Sequence, residues 1–325
     1  MASMTSTLRP SLLVAAAAAT ALTLAACSTP AETGAGASSV PADGLTVAAA
    51  FYPLEYVARG VAGADTTVVA LAQPGVDAHD LELSPASVRE MQSADLVLFL
   101  SDFQPAVDDA IDSTGVRSLD AAAVVELHDA EEHADEEHAE EEGEAHADED
   151  EHEHGTSDPH FWLDPTLLAA YADSVAAELS ELDPANADSY AANAASLTET
   201  LTGIDEAYAT GLAQCERDTI FVAHEAFGYL TERYGIHQEG FAGLDPESEP
   251  SPARLLEIKE LVAETGATVI FTEDTVSASV AESLANDAGV ATAVLSPVET
   301  VADGEDYASI MTRNLEEIRG ALGCA

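Results

Sequence analysis

DPANADSYAANAASLTETLTGIDEAYATGLA, residues 183–213, opens on an Asp-Pro pair that reads as a helix cap followed by proline at the first helical position. Its larger apolar residues, Tyr190, Leu197, Leu201, Ile204, Tyr208 and Leu212, recur at spacings of three, four and seven, which places them on one helical face. A helix of about 30 residues extends about 45 Å at about 1.5 Å per residue, long enough to brace two domains as a rigid strut.

Outward from this stretch in both directions, short β-rich runs alternate with helical segments, the pattern of α/β layering around mostly parallel sheets. Candidate strands cover 45–51, 66–70 and 95–100 before the helix, and 219–223, 236–240, 268–272 and 292–295 after it. Helices over 251–265 and 277–287 separate the later ones. The predicted organisation is an N-terminal lobe over 44–182, a linking helix over 183–213 and a C-terminal lobe over 214–325: two Rossmann-like lobes joined by one long rigid helix.

The charge narrows the function. Sixty-one acidic residues against 10 Lys+Arg give a net charge of −51, which excludes nucleic acid as a partner because phosphate binding needs a basic surface. A cation is the ligand class such a field attracts. The excess is partly concentrated in residues 126–154, where His128, His133, His138, His146, His152 and His154 sit among sixteen Asp and Glu with almost no apolar residue after Leu127. That segment has no means of burying a core and is predicted to be disordered without metal, binding zinc weakly.

Residues 1–26 read as an export signal, since Arg9 precedes an apolar run over 11–26 that is too short to span a bilayer comfortably. The run ends in Leu24-Ala25-Ala26-Cys27, which resembles the bacterial lipobox, where the Cys thiol is acylated; a plain secretory signal is the alternative. Acyl chains on Cys27 would hold the protein on the membrane surface, with residues 27–43 as a flexible tether. Cys215 and Cys324 are then the remaining thiols, and in an exported protein they are expected to pair.

Outside the acidic segment the histidines are His79, His160, His224 and His237. His79 follows a predicted strand and turn, His160 is boxed by two Asp-Pro pairs, and His224 ends a strand. Such strand-end positions are where α/β sheets gather their ligand-binding loops, and converging neutral imidazoles suit Zn²⁺. His237 lies on the predicted strand that begins at Ile236 and is assigned a structural or supporting role.

The ordered motifs HDLELSP (79–85), DPHFWLDP (158–165), HEAFGYLTERYG (224–235) and GLDPESEPSP (243–252), with an acidic His-rich insertion before DPH, resemble the zinc-binding solute-binding proteins of ABC importers, the cluster A-I group. The resemblance runs from about Leu45 to the C-terminus. It implies metal held in the cleft between two α/β lobes by His79, His160 and His224. Glu299, in Leu295-Ser296-Pro297-Val298-Glu299, resembles the carboxylate that completes the site in some members; others carry Asp one residue before the proline, where this chain has Ser296.

The resemblance further implies Zn²⁺ capture on the extracytoplasmic face of a bacterial cell membrane, delivery to an ABC permease, and a monomer. Manganese-binding relatives use two His and two carboxylates, so His224 argues for zinc over Mn²⁺. A surface metal buffer or adhesin is the alternative reading. A zinc hydrolase is disfavoured: His224-Glu225 begins a zincin motif, but Gly228 stands where the second His is needed.

Overall fold

The computed structural model describes residues 44–63, 66–73, 75–129, 157–273 and 278–325. The predicted export signal, Cys27, the tether, and His133, His138, His146, His152 and His154 lie outside these residues.

In the N-terminal half β1 (Thr46–Ala49), β2 (Thr67–Ala70), β3 (Leu96–Phe99) and β4 (Ser118–Asp120) form one parallel sheet in the order β2-β1-β3-β4. Val47 pairs with both Val68 and Leu96, so the chain passes from β1 to β2 on one side and crosses to β3 on the other, a reversal of strand order of the kind beside which α/β sheets bind ligands at the strands' carboxyl ends. Between the strands run α1 (Tyr52–Ala62), α2 (Pro85–Ser93) and α3 (Pro105–Thr114), each with proline in its first turn, where a missing N–H costs no helical hydrogen bond. Ser84 caps α2 by accepting from the Ser87 amide. β4 has no counterpart among the expected strands: it has three residues and one apolar side chain, too little for period-two alternation to register.

Two helices follow. α4 (Pro165–Leu182) is capped by Asp164, whose carboxylate accepts from the Thr166 amide, and α5 spans Ala187–Gly211. The expected helix start at Asp183 is therefore a turn. Asp183 accepts from the Ala185 amide, the Asn186 side chain and the Tyr190 hydroxyl, and this local competition with helical hydrogen bonding reverses the chain before α5 begins. At 25 residues α5 is about 37 Å long, shorter than expected, and it packs against α1, α4 and α9 (Tyr307–Leu322).

In the C-terminal half β5 (Thr219–Val222) pairs in parallel with β6 (His237–Gly240), and β7 (Val269–Thr272) with β8 (Ala291–Val294). α6 (Gly228–Tyr234), α7 (Pro252–Thr265) and α8 (Ser279–Ala288) connect them. A cluster of Phe221, Phe241, Ile258, Val262 and Ile270 is private to this half. The largest core is not: it runs from Val47, Leu54 and Val57 through Trp162, Tyr171 and Leu201 to Tyr307, Ile310 and Ile318, so both halves bury apolar surface against one another.

Cys215 and Cys324 are joined by a disulfide that ties the end of α9 to the start of the C-terminal half. Among the described residues no helix is long and apolar enough to cross a membrane.

Candidate metal centre

Four side chains from four different loops meet where the halves face each other. His79 lies between β2 and α2, His160 precedes the short 3-10 turn Phe161–Leu163, His224 lies just past β5, and Glu299 follows β8. His160, His224 and Glu299 are buried, while His79 is half-buried at the mouth. Beside His79 opens a cavity of about 500 Å³ lined by Asp80, Asp102, Phe103, Pro159 and Asp245.

The His160 Nε2 is 3.3 Å from that of His79 and 3.4 Å from that of His224. Glu299 Oε1 is 3.5 Å from the Nε2 atoms of His79 and His160 and 3.9 Å from that of His224. Donors on a tetrahedral ion at about 2.0–2.1 Å stand about 3.3–3.4 Å apart, so the observed spacing fits one small tetrahedral cation. Glu299 supports that reading: both its oxygens are buried and neither has a hydrogen-bond partner, an expensive state for a carboxylate unless a cation occupies the space before it.

Two further carboxylates fix the imidazoles. Asp158 Oδ1 lies 2.7 Å from His160 Nδ1 and accepts from the His160 amide at 2.9 Å. Glu273 Oε1 lies 2.8 Å from His224 Nδ1 and 3.2 Å from the His224 amide nitrogen. An ionised carboxylate only accepts, so Nδ1 donates in both rings and each Nε2, in the neutral ring, is the nitrogen left to present a lone pair to the centre. Sequence reading did not identify these two residues. Asp158 stood in the DPH motif, and Glu273 follows β7 immediately, at a strand end where ligand-binding loops gather.

The electrostatics follow from burial. Desolvation opposes a charged His160, but the carboxylates of Asp158 and Glu299 outweigh it and raise the imidazole to about 9. Burial likewise opposes a charged Glu299, yet the His160 and His79 imidazoles that face it at 3.5 Å hold its carboxyl well below the usual range.

The turn carrying Glu299 is unusual. Val298 has φ 62°, left-handed for a β-branched residue, a conformation costing about 1–3 kcal/mol. Its side chain is completely buried, which contributes about 1.5–3 kcal/mol and offsets the strain.

His237 is the exposed first residue of β6 and lies outside the cluster. His128, the described member of the acidic segment, also lies outside it. Its ring stacks on Tyr229 at 3.9 Å, its Nε2 is 3.3 Å from Glu232, and Asp129 and Ser157 form a bridge at the segment's base.

Parallel α/β halves around a buried, interfacial set of metal-type donors define a solute-binding protein of the metal-handling kind. Residues 47–321 match the family model described as zinc-uptake complex component A, periplasmic, and the chain belongs to that family. It is 33% identical over 289 residues to the zinc-binding lipoprotein AdcA of Streptococcus pneumoniae serotype 4, covering 86% of this chain and 56% of AdcA; it thus spans little more than half the length of that relative. It is 30% identical over 296 residues to the high-affinity zinc uptake system protein ZnuA of Bacillus subtilis, covering 88% of this chain and 90% of ZnuA. The crystal structure of a Zn(II)-bound mutant variant of AdcAII from Streptococcus pneumoniae superposes with a TM-score of 0.75 at 27% identity, covering 87% of this chain and all of that one.

Proposed function

We propose that this protein captures Zn²⁺ outside the cytoplasmic membrane and delivers it to the permease of an ABC importer. The observation that carries the proposal is the convergence of four donor atoms, three imidazole Nε2 and one carboxylate oxygen, with five of their separations between 3.3 and 3.9 Å, near those a tetrahedral ion sets. Three nitrogens and one oxygen favour zinc over Mn²⁺, which prefers oxygen-rich octahedral sites. The match to a zinc-uptake family and the zinc-binding names of the relatives support the same reading.

His79, His160, His224 and Glu299 are the proposed ligands, with Zn²⁺ as cargo. The protein acts as a carrier without catalysis, as a monomer, anchored through lipid on Cys27 at the extracytoplasmic face. The His-rich segment supplies additional weak sites.

Anaerobic titration of residues 28–325 with Zn²⁺ and Mn²⁺ tests the proposal. One tight site preferring Zn²⁺ is expected, lost in each of His79→Ala, His160→Ala and His224→Ala with the far-ultraviolet circular dichroism unchanged. Unaltered stoichiometry and affinity in any variant removes that residue from the site.

A further inference from the structure

The loop that brings Glu299 to the centre is held at each backbone polar group from the Ser296 amide to the Val298 amide. Asn314, buried on α9, accepts from the Ser296 amide at 3.1 Å and donates to the Ser296 carbonyl at 2.7 Å. The Ser296 hydroxyl accepts from the Val298 amide at 3.2 Å. Pro297 has no N–H, and its carbonyl accepts from the Trp162 indole at 2.7 Å. The Trp162 carbonyl in turn accepts from the Tyr307 hydroxyl at 2.7 Å. Trp162 is two residues past His160, so one segment contributes a proposed ligand and a restraint on the turn that presents another.

These bonds hold a turn that includes the left-handed Val298. Glu299 is the next residue, so the turn's geometry sets where its carboxylate arrives. Oε1 is the oxygen facing the three imidazoles. A carboxylate free to rotate would offer both oxygens and raise the coordination number, which suits Mn²⁺; one held to a single oxygen keeps a tetrahedral site, which suits Zn²⁺.

We propose that Asn314, Ser296 and Trp162 are metal-specificity residues that act through Glu299, clamping its turn so that it offers one oxygen and the site stays four-coordinate. This rests on the zinc-site reading and extends it from the ligands to the residues that choose among metals.

The test uses Ser296→Ala, Trp162→Phe and Asn314→Ala in the full chain, loaded with Co²⁺ as a spectroscopic probe and titrated with Zn²⁺ and Mn²⁺. Wild-type protein is expected to show the intense visible absorption of four-coordinate Co²⁺. The variants are expected to lose intensity, and their Zn²⁺-to-Mn²⁺ affinity ratio to fall by about tenfold, the lower end of what loss of a supporting partner brings. Combined with Glu299→Gln, Ser296→Ala and Asn314→Ala are expected to have no further effect on that ratio, because these two residues act only through this carboxylate, whereas Trp162 also packs on His160.

Unchanged Co²⁺ spectra and ratios in those variants that fold overturn the proposal, even if affinity falls. So does a ratio that shifts equally with and without Glu299. Ser296→Ala removes one hydrogen-bonding group with little change of shape and decides the matter should Asn314→Ala or Trp162→Phe, whose ring is fully buried, fail to fold. Wild-type protein that takes up neither Co²⁺ nor Zn²⁺ at the four residues refutes the metal-site reading instead.

Discussion

Asp158→Asn separates the two things a buried carboxylate does for a histidine ligand. In the metal-free protein Asp158, together with Glu299, favours protonated His160 and raises the imidazole to about 9, so at pH 7 Zn²⁺ binding at the proposed site would have to displace a proton from this ring. Two pH units at about 1.36 kcal/mol each make that competition about 2.7 kcal/mol, or about a hundredfold in affinity. The same carboxylate orients the ring and raises its basicity as a donor, a supporting contact whose loss costs about 10–100-fold. In the Asn variant burial is opposed by Glu299 alone, the imidazole pKa falls, and most of the proton competition disappears.

At pH 7 the gain and the loss therefore nearly cancel, whereas at pH 9 only the loss remains. Wild-type affinity should rise about tenfold per pH unit from 7 toward 9 and then level, with about one proton released per Zn²⁺ bound at pH 7. The variant's curve should be flatter and lie about 10–100-fold below wild type at pH 9. The sign for folding is opposite: a raised histidine pKa stabilises the metal-free protein fully below its unfolded value of about 6.5, and this stability is lost as pH rises through about 9. Chelator-competition titrations across this range, with calorimetry in buffers of different ionisation enthalpy to count protons, provide the assay. A variant weakened by one constant factor at every pH, together with no proton release by wild type at pH 7, refutes the reasoning.

Replacing both Cys215 and Cys324 by Ser opens a loop of 109 residues and should lower unfolding free energy by about 4–5 kcal/mol in denaturant melts under oxidising conditions; a change below about 1 kcal/mol contradicts the chain-entropy account. Arg233→Ala removes the 2.7 Å ion pair with Asp205 between α6 and α5 and should cost about 1 kcal/mol at pH 7. Arg233 holds the Asp205 carboxyl below its ordinary value, so this contribution is present above about pH 3.9 and is lost as pH falls through the depressed value; a penalty that persists undiminished in strong acid counts against it.

The sequence by itself determined what depends on near neighbours along the chain. Six of the eight strands lie in runs whose β-branched and apolar content stands out from their surroundings, and Ser84-Pro85 and Ser251-Pro252 mark helix starts through caps that need only three or four residues. The three histidines stood out because histidine is scarce outside the acidic segment, Glu299 only through the resemblance of its turn to a family motif, and the structure brings the four together. Tertiary structure alone decided whether Asp183-Pro184 would start a helix or turn the chain, because an Asp side chain satisfies either arrangement and Tyr190 selects the turn from seven residues away. It also decided the pairing of Glu273 with His224, 49 residues apart, of Trp162 with Pro297, 135 apart, and of Asn314 with Ser296, 18 apart. No local pattern encodes these partners. An Asn on a helix or a Glu at a strand end is ordinary in sequence, and it acquires a role only when folding buries it beside a group that water can no longer satisfy.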